Sequence, residues 1–298
     1  MSATSKKGLA AEVREFLSTR RARITPEQAG LPIYGGNRRV AGLRREEVAL
    51  LAGMSVDYYV RLERGNLSGA SESVLDALAH ALQLDEAERT YLYDLARAAT
   101  PAGRRPAVTT SRVRPTILRM LDSMTGVPAY VRNGRFDILA ANMLGRALYA
   151  PVFDSPLFVQ RGPVNTARFL FLDSAGQDFW ADWDKGADDS VAFLRTETGR
   201  APHDKALTDL IGELTTKSDE FARRWARHDV KFHRSGVKRL RHPLVGELAL
   251  PYEAMELPAD PGLRINIYTP EPDSREQEAL GLLASWASTD AVAPSRDD

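Results

Sequence analysis

The sequence predicts two domains, an all-α domain followed by an α+β domain. In the first hundred residues, apolar side chains recur every three or four positions, which is the spacing of helices that bury one face. Residues 101–115 contain prolines and arginines but no aromatic side chain, as is typical of a linker. Beyond them, short apolar runs alternate with turn residues, which indicates strands. We therefore expect domains at 1–100 and 116–290, joined by a basic linker at 101–115.

Five helices are predicted in the first domain. Ser71 and Asp85 are expected N-caps, and Asp85 forms a capping-box pattern with Glu88. A segment rich in Gly and Pro, 24–40, is expected to be a loop. The predicted helices are Gly8–Thr19, Arg44–Ala52, Ser55–Arg64, Ser71–Leu84 and Asp85–Ala99.

The second domain is predicted to combine an antiparallel sheet with helices packed beside it. Its first two strands are expected to form a hairpin at the turn Asn133-Gly134. The expected elements are a helix at 116–124, strands at 127–131 and 136–140, a mostly helical stretch at 142–229, strands at 237–242, 244–252 and 263–268, and a last helix at 274–288.

Composition narrows the class of protein. Hydrophobic residues make up 43% and charged residues 27% of the chain, as in soluble globular proteins. The absence of Cys excludes disulfides, thiolate metal sites and cysteine nucleophiles. The N-terminal residues lack the apolar core of a signal peptide, and no run approaches the roughly 20 apolar residues that span a bilayer. We expect a cytoplasmic protein that does not contact a membrane.

The net charge of zero conceals a local imbalance. Residues 1–65 carry 12 Lys and Arg against 7 Asp and Glu, whereas residues 66–100 carry 2 basic against 6 acidic residues. The first domain therefore has one basic end with a net charge of +5, and phosphate attraction depends on such a local field.

Residues 44–65 have the pattern of a helix-turn-helix. Val48 is predicted to face the core, and the small Ala49 lets a second helix approach closely. Gly53 supplies the left-handed backbone that ends the first helix, and Ser55 caps the second. Such a second helix lies in the major groove of duplex DNA and leads with its N-terminal residues.

The outward positions of this motif are the predicted DNA contacts. Arg61 is expected to read a guanine edge, because Arg bonds to guanine in a bidentate manner. Asp57 is expected to accept from cytosine or to orient Arg61, and the basic residues before the second helix are expected to touch phosphates. The predicted contacts are Arg38, Arg39, Arg44, Arg45, Ser55, Val56, Asp57, Tyr58 and Arg61.

The sequence gives little support for an enzyme or for a metal site. His228 and His233 lie five apart, which is wrong for two metal ligands on one helix turn. No phosphate-binding Gly-rich loop, dinucleotide fingerprint or nucleophile elbow is present. We expect no catalytic residue, no metal and no cofactor.

Aromatic side chains concentrate between residues 169 and 225, which fits either an apolar ligand pocket or an ordinary core. Basic and polar residues nearby are suited to bind a carboxylate. For His228, a bond to the backbone is an alternative to a ligand contact. The predicted ligand contacts are Asn142, Arg168, Arg195, Phe221, Trp225 and His228.

Both domains resemble one family. The segments Val40–Ala49 and Tyr58–Gly65 resemble the Xre regulators, with a Cro/C1-type helix-turn-helix, and specifically their MmyB-like branch. In the second domain, Leu210-Ile211-Gly212-Glu213-Leu214, Trp225-Ala226-Arg227-His228-Asp229-Val230 and His242-Pro243 follow the C-terminal pattern of that branch. The resemblance implies a PAS-like C-terminal domain that binds a small, fatty-acid-like ligand.

These expectations combine into a regulator whose ligand alters its affinity for a double-stranded operator. A homodimer is expected, since one helix-turn-helix reads few base pairs. The alternative is a constitutive regulator whose second domain serves only dimerisation or partner docking.

Overall fold

The computed structural model describes residues 3–31, 40–100, 112–158, 163–231 and 235–292, and side chains within these ranges from residue 8 to residue 289. The chain divides into two compact units. The described part of the first unit comprises 3–31, 40–100, 195–204 and 224–231. That of the second unit comprises 112–158, 163–194, 205–223 and 235–292.

Five helices form the N-terminal part of the first unit, as the periodicity predicts. Ser71 Oγ accepts from the Val74 N–H at 3.3 Å, and the Asp85–Glu88 capping box is present in both directions. The first helix is longer than predicted, and its last turn carries Arg20, Arg21 and Arg23, which favour the negative end of the helix dipole. The helices are α1 (Ala3–Arg23), α2 (Arg45–Leu51), α3 (Val56–Glu63), α4 (Glu72–Ala81) and α5 (Glu86–Ala99).

The core of the first unit lies between α1 and the four helices that follow it. Val13, Phe16 and Leu17 of α1 are fully buried, at the positions that the helical spacing marks as inward. The Phe16 and Tyr91 rings meet edge to face with their centroids 5.1 Å apart. Burial of several such side chains at about 1.5–3 kcal/mol each supplies the main stabilisation of the unit.

The second unit contains all five strands of one antiparallel sheet in the order β2-β1-β5-β4-β3. The strands are β1 (Ala129–Asn133), β2 (Ile138–Ala141), β3 (Ser235–His242), β4 (Gly246–Glu256) and β5 (Leu263–Tyr268). The remaining helices among the described residues are α6 (Pro115–Ser123), α7 (Met143–Leu148), α8 (Ala150–Phe153), α9 (Thr166–Leu172), α10 (Ser174–Phe179), α11 (Trp183–Arg200), α12 (Lys205–Lys217), α13 (Asp219–Trp225) and α14 (Arg275–Val292).

Side chains alternate between the two faces of the sheet along each strand. Strands β1 and β5 are buried almost throughout, whereas β3 and β4 also carry exposed residues. Val131 is paired with Ile265, and both pack with α6 residues on one face. Tyr130 and Tyr268 point to the opposite face, where they join a larger core with α7, α9 and α14. Burial on both faces explains the apolar run Ala129-Tyr130-Val131 at the start of β1.

The predicted hairpin between β1 and β2 is confirmed, but its turn differs in detail. The Asn133 side-chain carbonyl accepts from the N–H groups of Arg135 and Asp137, and the Asn133 N–H donates to the Asp137 carbonyl. The left-handed residue is Phe136, with φ of 67°, and its ring packs on Phe193 with centroids 4.9 Å apart. A left-handed backbone is strained at a residue that has a Cβ atom, and a glycine such as Gly134 would avoid this strain. Packing of the Phe136 ring offsets it.

The two compact units do not follow the order of the chain. Arg195–Asp204 and residues 224–231, which the sequence assigns to the second domain, belong to the first unit. Val230 is buried with the apolar core of the N-terminal helices. The helix-turn-helix unit is therefore discontinuous in sequence.

Candidate DNA interface and ligand-binding residues

The helix-turn-helix is formed by α2 and α3 as predicted. Val48 and Ala49 are buried, and Gly53 has a φ of 62°, the left-handed conformation that ends α2. Ser55 Oγ accepts from the Tyr58 N–H at 3.2 Å and caps α3. Each of these features follows from residue types that are adjacent in the sequence.

The outward face of α3 presents the side chains that the motif predicts. Val56 is 42% exposed, Asp57 and Arg61 are exposed, and Tyr58 is half-buried. The Arg61 guanidinium lies 5.0 Å from the centroid of the Tyr58 ring. Arg61 is thus held against Tyr58 rather than against Asp57, and stacking presents its donors as a plane.

A buried carboxylate ties α3 to the two preceding helices. Glu63 at the end of α3 is almost fully buried and accepts from Arg21 of α1 at 2.9 and 3.1 Å. Its other oxygen accepts from Arg45 Nε at 2.5 Å. Arg45 stays 54% exposed, so this ion pair positions the guanidinium at the surface. Glu63 is therefore the shared partner of two arginines.

The remaining predicted phosphate contacts lie before α2. Arg44 is exposed, and its backbone N–H donates to Glu47 at 2.6 Å, which satisfies one free donor at the start of the helix. Arg38 and Arg39 lie outside the described residues.

The second unit contains a cleft of about 390 Å³ with a mixed lining. Arg168 Nε and Lys217 Nζ both donate to Glu213, each at 2.8 Å. Because two cations face one carboxylate, the polar side of the cleft has a net positive charge. The complete lining is Leu157, Arg168, Phe171, Leu172, Glu213 and Lys217.

Aromatic side chains pack behind the cleft. Phe171 meets Phe221 edge to face at 5.1 Å and Trp183 at 6.0 Å between centroids. Phe221 is fully buried, so it supports Phe171 as part of the core. Trp183 fixes its indole by donating to the Leu170 carbonyl at 3.1 Å.

Asn142 has a structural role, which corrects the prediction of a ligand contact. Its side-chain oxygen accepts from the N–H groups of Ala129 at 3.0 Å and Gly145 at 2.7 Å. Its amide nitrogen donates to the carbonyls of Met124 at 2.6 Å and Val127 at 2.8 Å. The buried amide uses both donors and its oxygen to join β1 to α7, which leaves it no donor for a ligand.

The other predicted ligand contacts are divided between the two compact units. Arg168 and Phe221 belong to the second unit, whereas Arg195, Trp225 and His228 belong to the first. Arg195 is fully buried, donates to the Glu12 carboxylate and to the Trp225 carbonyl, and lies 3.9 Å from the Trp225 ring centroid. Both terminal nitrogens of Arg195 thus donate to protein groups of the first unit.

The sequence did not predict a role for several residues at the cleft and beside Arg195. Glu213 and Lys217 are four apart on α12, a spacing that signals a surface ion pair rather than a cleft. Glu12 accepts from the Tyr91 hydroxyl at 2.6 Å as well as from Arg195. Because Glu12 and Arg195 are so far apart in the chain, no local pattern indicates their pairing.

One group among the described side chains has the composition of a metal site. Ligand atoms of Glu12, Glu15 and His228 lie within 4.8 Å of one another. Burial lowers the pKa of His228, and the nearby Arg195 lowers it further. His228 Nε2 lies 3.1 Å from Glu15 Oε2, and Arg195 already neutralises Glu12. The geometry is that of a hydrogen-bonded ion-pair cluster.

Comparison with known proteins agrees with this architecture. The family described as MmyB-like transcription regulator ligand binding domain matches residues 113–283, more than half of the chain. The chain belongs to the MmyB-like transcription regulators. A second family, described as a helix-turn-helix domain, matches residues 14–92. This MmyB-like protein is thus a DNA-binding regulator with a ligand-binding domain, and both matched domains are of the regulator type. A search of curated proteins found no match.

Among the described residues, no helix combines the length and the apolar character needed to cross a membrane.

Proposed function

We propose that this MmyB-like chain binds a double-stranded operator as a homodimer and that a small, fatty-acid-like ligand in its C-terminal domain changes the operator affinity. No catalytic step is assigned to it. Because it acts on the chromosome, we place it in the cytoplasm. The observation that carries the proposal is the outward face of α3, where Arg61 is exposed and stacked on Tyr58.

The arrangement supports specific reading of DNA. A guanidinium that is already planar and oriented loses less freedom when it bonds to a guanine edge. Ser55, Val56 and Asp57 stand at the leading end of the helix, where base contacts are made. Arg44 and Arg45 flank it with exposed positive charge suited to phosphates. Arg38 and Arg39 remain proposed phosphate contacts.

The test is selection of operator sequences from random duplexes, repeated with Arg61→Ala. We expect the variant to lose preference at one base pair per half-site, at a cost of about 1–3 kcal/mol there. Arg64→Ala is the matched control, since Arg64 is exposed just beyond the same helix. It is expected to weaken all sequences alike. Unchanged preference in Arg61→Ala would remove the assignment of Arg61.

A PAS-like fold of the second unit is supported by its strand order. The order β2-β1-β5-β4-β3, with a run of helices between β2 and β3, is the arrangement expected of a PAS-like sheet. The cleft favours an amphiphilic anion, because Phe171, Leu157 and Leu172 offer apolar surface beside Arg168 and Lys217.

The ligand is tested by titrating dodecanoate and following the fluorescence of Trp183, which packs on Phe171 of the cleft. We expect Arg168→Ala to weaken dodecanoate binding about tenfold, because a charge-assisted bond is lost. Lys205→Ala is the control, since Lys205 pairs with Asp209 on α12, the helix that carries Glu213, but is 86% exposed and does not line the cleft. Equal affinities of the two variants would place the ligand elsewhere.

The second candidate is a constitutive regulator whose C-terminal domain only dimerises. The exposed Leu282 and Trp286, four apart on α14, favour it. Sedimentation of Leu282→Ser and Trp286→Ser separates the candidates: dissociation without any dodecanoate effect on operator affinity supports the second.

A further inference from the structure

Two segments from the C-terminal half of the chain complete the helix-turn-helix unit. They are residues 195–204 and 224–231, named the coupling segments here. In the first of them, Arg195 carries its charge into a fully buried position beside Glu12 of α1. A buried charge is tolerated only when it is paired, so Glu12 fixes where this segment lies.

The end of α11 fits closely against α5. A Cβ atom added to Gly199 would lie 2.6 Å from Tyr91 Cε2, and Tyr91 is fully buried. Arg200 Nε lies 3.8 Å from Asp94. The contact between these helices therefore depends on the absence of a side chain at position 199.

The second coupling segment is bonded to the C-terminal end of α1 by two arginines. Arg20 Nη2 donates to the His228 carbonyl at 2.6 Å, and Arg20 is buried. Arg23 Nη2 donates to the Arg227 carbonyl at 3.0 Å and to Asp229 at 2.5 Å. Main-chain atoms of the segment are thus bonded directly to α1.

The same end of α1 is bonded to the recognition helix. Arg21, between the two arginines above, donates to Glu63 of α3 and to the Leu43 carbonyl at 2.9 Å before α2. Three arginines within four residues of α1 therefore connect the coupling segment on one side and the helix-turn-helix on the other. A few short, charge-assisted bonds thus form a continuous connection from the segment through α1 to α3.

The coupling segments are covalently continuous with elements beside the cleft. Helix α11 runs without interruption from Trp183, which packs on the cleft residue Phe171, to Arg200 in the first coupling segment. The second segment begins three residues after Phe221, which also packs on Phe171. The first connection runs along the single helix α11, and the second spans only a few residues after Phe221. Each begins at a side chain that packs on Phe171 and ends in a segment bonded to α1.

We propose that the coupling segments regulate the helix-turn-helix, because they hold α1 and therefore set the position of the recognition helix in response to the second unit. The inference rests on the proposed operator binding, and it names the part of the chain through which that binding is regulated. The Arg23–Asp229 pair is its most accessible contact, with both side chains 44% exposed.

The test is a charge-swap cycle in the full chain: Asp229→Arg, Arg23→Asp and the double variant. Operator affinity of the selected duplex is measured with and without dodecanoate, and amide exchange of α3 is measured in the protein alone. Asp76→Arg and Arg89→Asp are the matched controls, since the Asp76–Arg89 pair has the same 2.5 Å separation and similar exposure but contacts neither segment.

We expect each single variant at 23 or 229 to change the effect of dodecanoate by about twofold to fivefold, the range of one exposed ion pair. The same variants should speed amide exchange in α3, and the double variant should restore both quantities. The control variants should leave both at the wild-type values. If the single variants at 23 and 229 behave like the controls, the inference is overturned.

Failure of the ligand proposal has a different signature. If dodecanoate leaves wild-type operator affinity unchanged, the ligand is wrong, yet exchange in α3 and operator affinity of the protein alone must still respond to Asp229→Arg. Loss of that response as well overturns the coupling role itself.

A second pair of variants guards against misfolding as an explanation. Gly199→Ala places a methyl group against Tyr91, whereas Gly212→Ala on α12 meets nothing within 4 Å. We expect Gly199→Ala alone to accelerate α3 exchange, by at least about threefold, because overpacking displaces the segment. A folded Gly199→Ala protein with wild-type exchange in α3 would contradict the inference.

Discussion

The recognition helix and the proposed ligand contacts differ in how far their residues stand apart in the chain. Residues 45–63 form a complete helix-turn-helix, and the exposed face of α3 is the one that helical spacing predicts. The predicted ligand contacts span residues 142–228 and are divided between two compact units. Local periodicity therefore predicts which face of a helix is exposed, but not which distant residue completes a charge pair.

The largest expected effect distinguishes a structural residue from a ligand contact. Asn142→Ala removes the four hydrogen bonds by which the buried Asn142 amide joins β1, α7 and the preceding loop. We expect a loss of about 3 kcal/mol in the free energy of unfolding, because buried backbone groups are left unpaired. Urea denaturation measures it, with the exposed Ser123→Ala as control. A stable Asn142→Ala protein with weakened dodecanoate binding would restore Asn142 to the ligand site.

A smaller effect is expected where distant residues complete the recognition unit. Glu63→Gln removes the negative charge that holds Arg21 and Arg45. The variant should lose about 2 kcal/mol of stability, less than a fully buried pair would, because Arg45 is half exposed. Operator affinity should fall as well, since α3 loses its tie to α1.

Glu46→Gln is the control for this change, because Glu46 is 62% exposed and lies 4.0 Å from Arg44. Thermal unfolding and operator titration measure both variants. Equal behaviour of the two would show that α3 is positioned by its local sequence alone.

The smallest expected effect is a pH dependence in the second unit. Burial lowers the pKa of His242, whose Nδ1 accepts from the Leu244 N–H at 3.2 Å while Nε2 faces the Ala147 carbonyl at 3.1 Å. The unfolded chain takes up this proton near pH 6.5, and the folded chain resists it. The contribution of His242 to the free energy of unfolding is therefore fully present above pH 6.5 and decreases as the pH falls below it.

His228 contributes a decrease of the same sign, since burial also lowers its pKa. Thermal unfolding at pH 5.5 and 7.5 should show a reduced difference in His242→Gln. The exposed His80→Gln serves as control and should keep the wild-type difference. An unchanged difference in His242→Gln would mean that other groups dominate in this pH range.

Most of the secondary structure followed from the sequence, because its signals are local. The caps at Ser55, Ser71 and Asp85 were predicted from residue type and are present. The turn after β1 was predicted at Asn133-Gly134, but the left-handed residue is Phe136, whose ring packs on Phe193. A tertiary contact offset a local preference there.

The candidate sites show the same division. Arg61 was predicted on an outward face and lies there, but its neighbour is Tyr58 and not Asp57. Arg195 was predicted to contact a ligand, yet its partner Glu12 lies 183 positions away in the chain. A charge type alone does not specify its partner, because any carboxylate that the fold brings within bonding distance serves.

The sequence by itself determined the two-domain composition of this MmyB-like regulator, its helix-turn-helix and the exposed face of the recognition helix. Those features depend on residue spacing over fewer than about twenty positions, where backbone geometry fixes which side chains share a face. Only the tertiary structure decided that residues 195–204 and 224–231 join the DNA-binding unit and that Asn142 is a structural residue. Buried polar groups must be paired wherever their partners lie in the chain, and the pairing is settled only when the helices and strands pack.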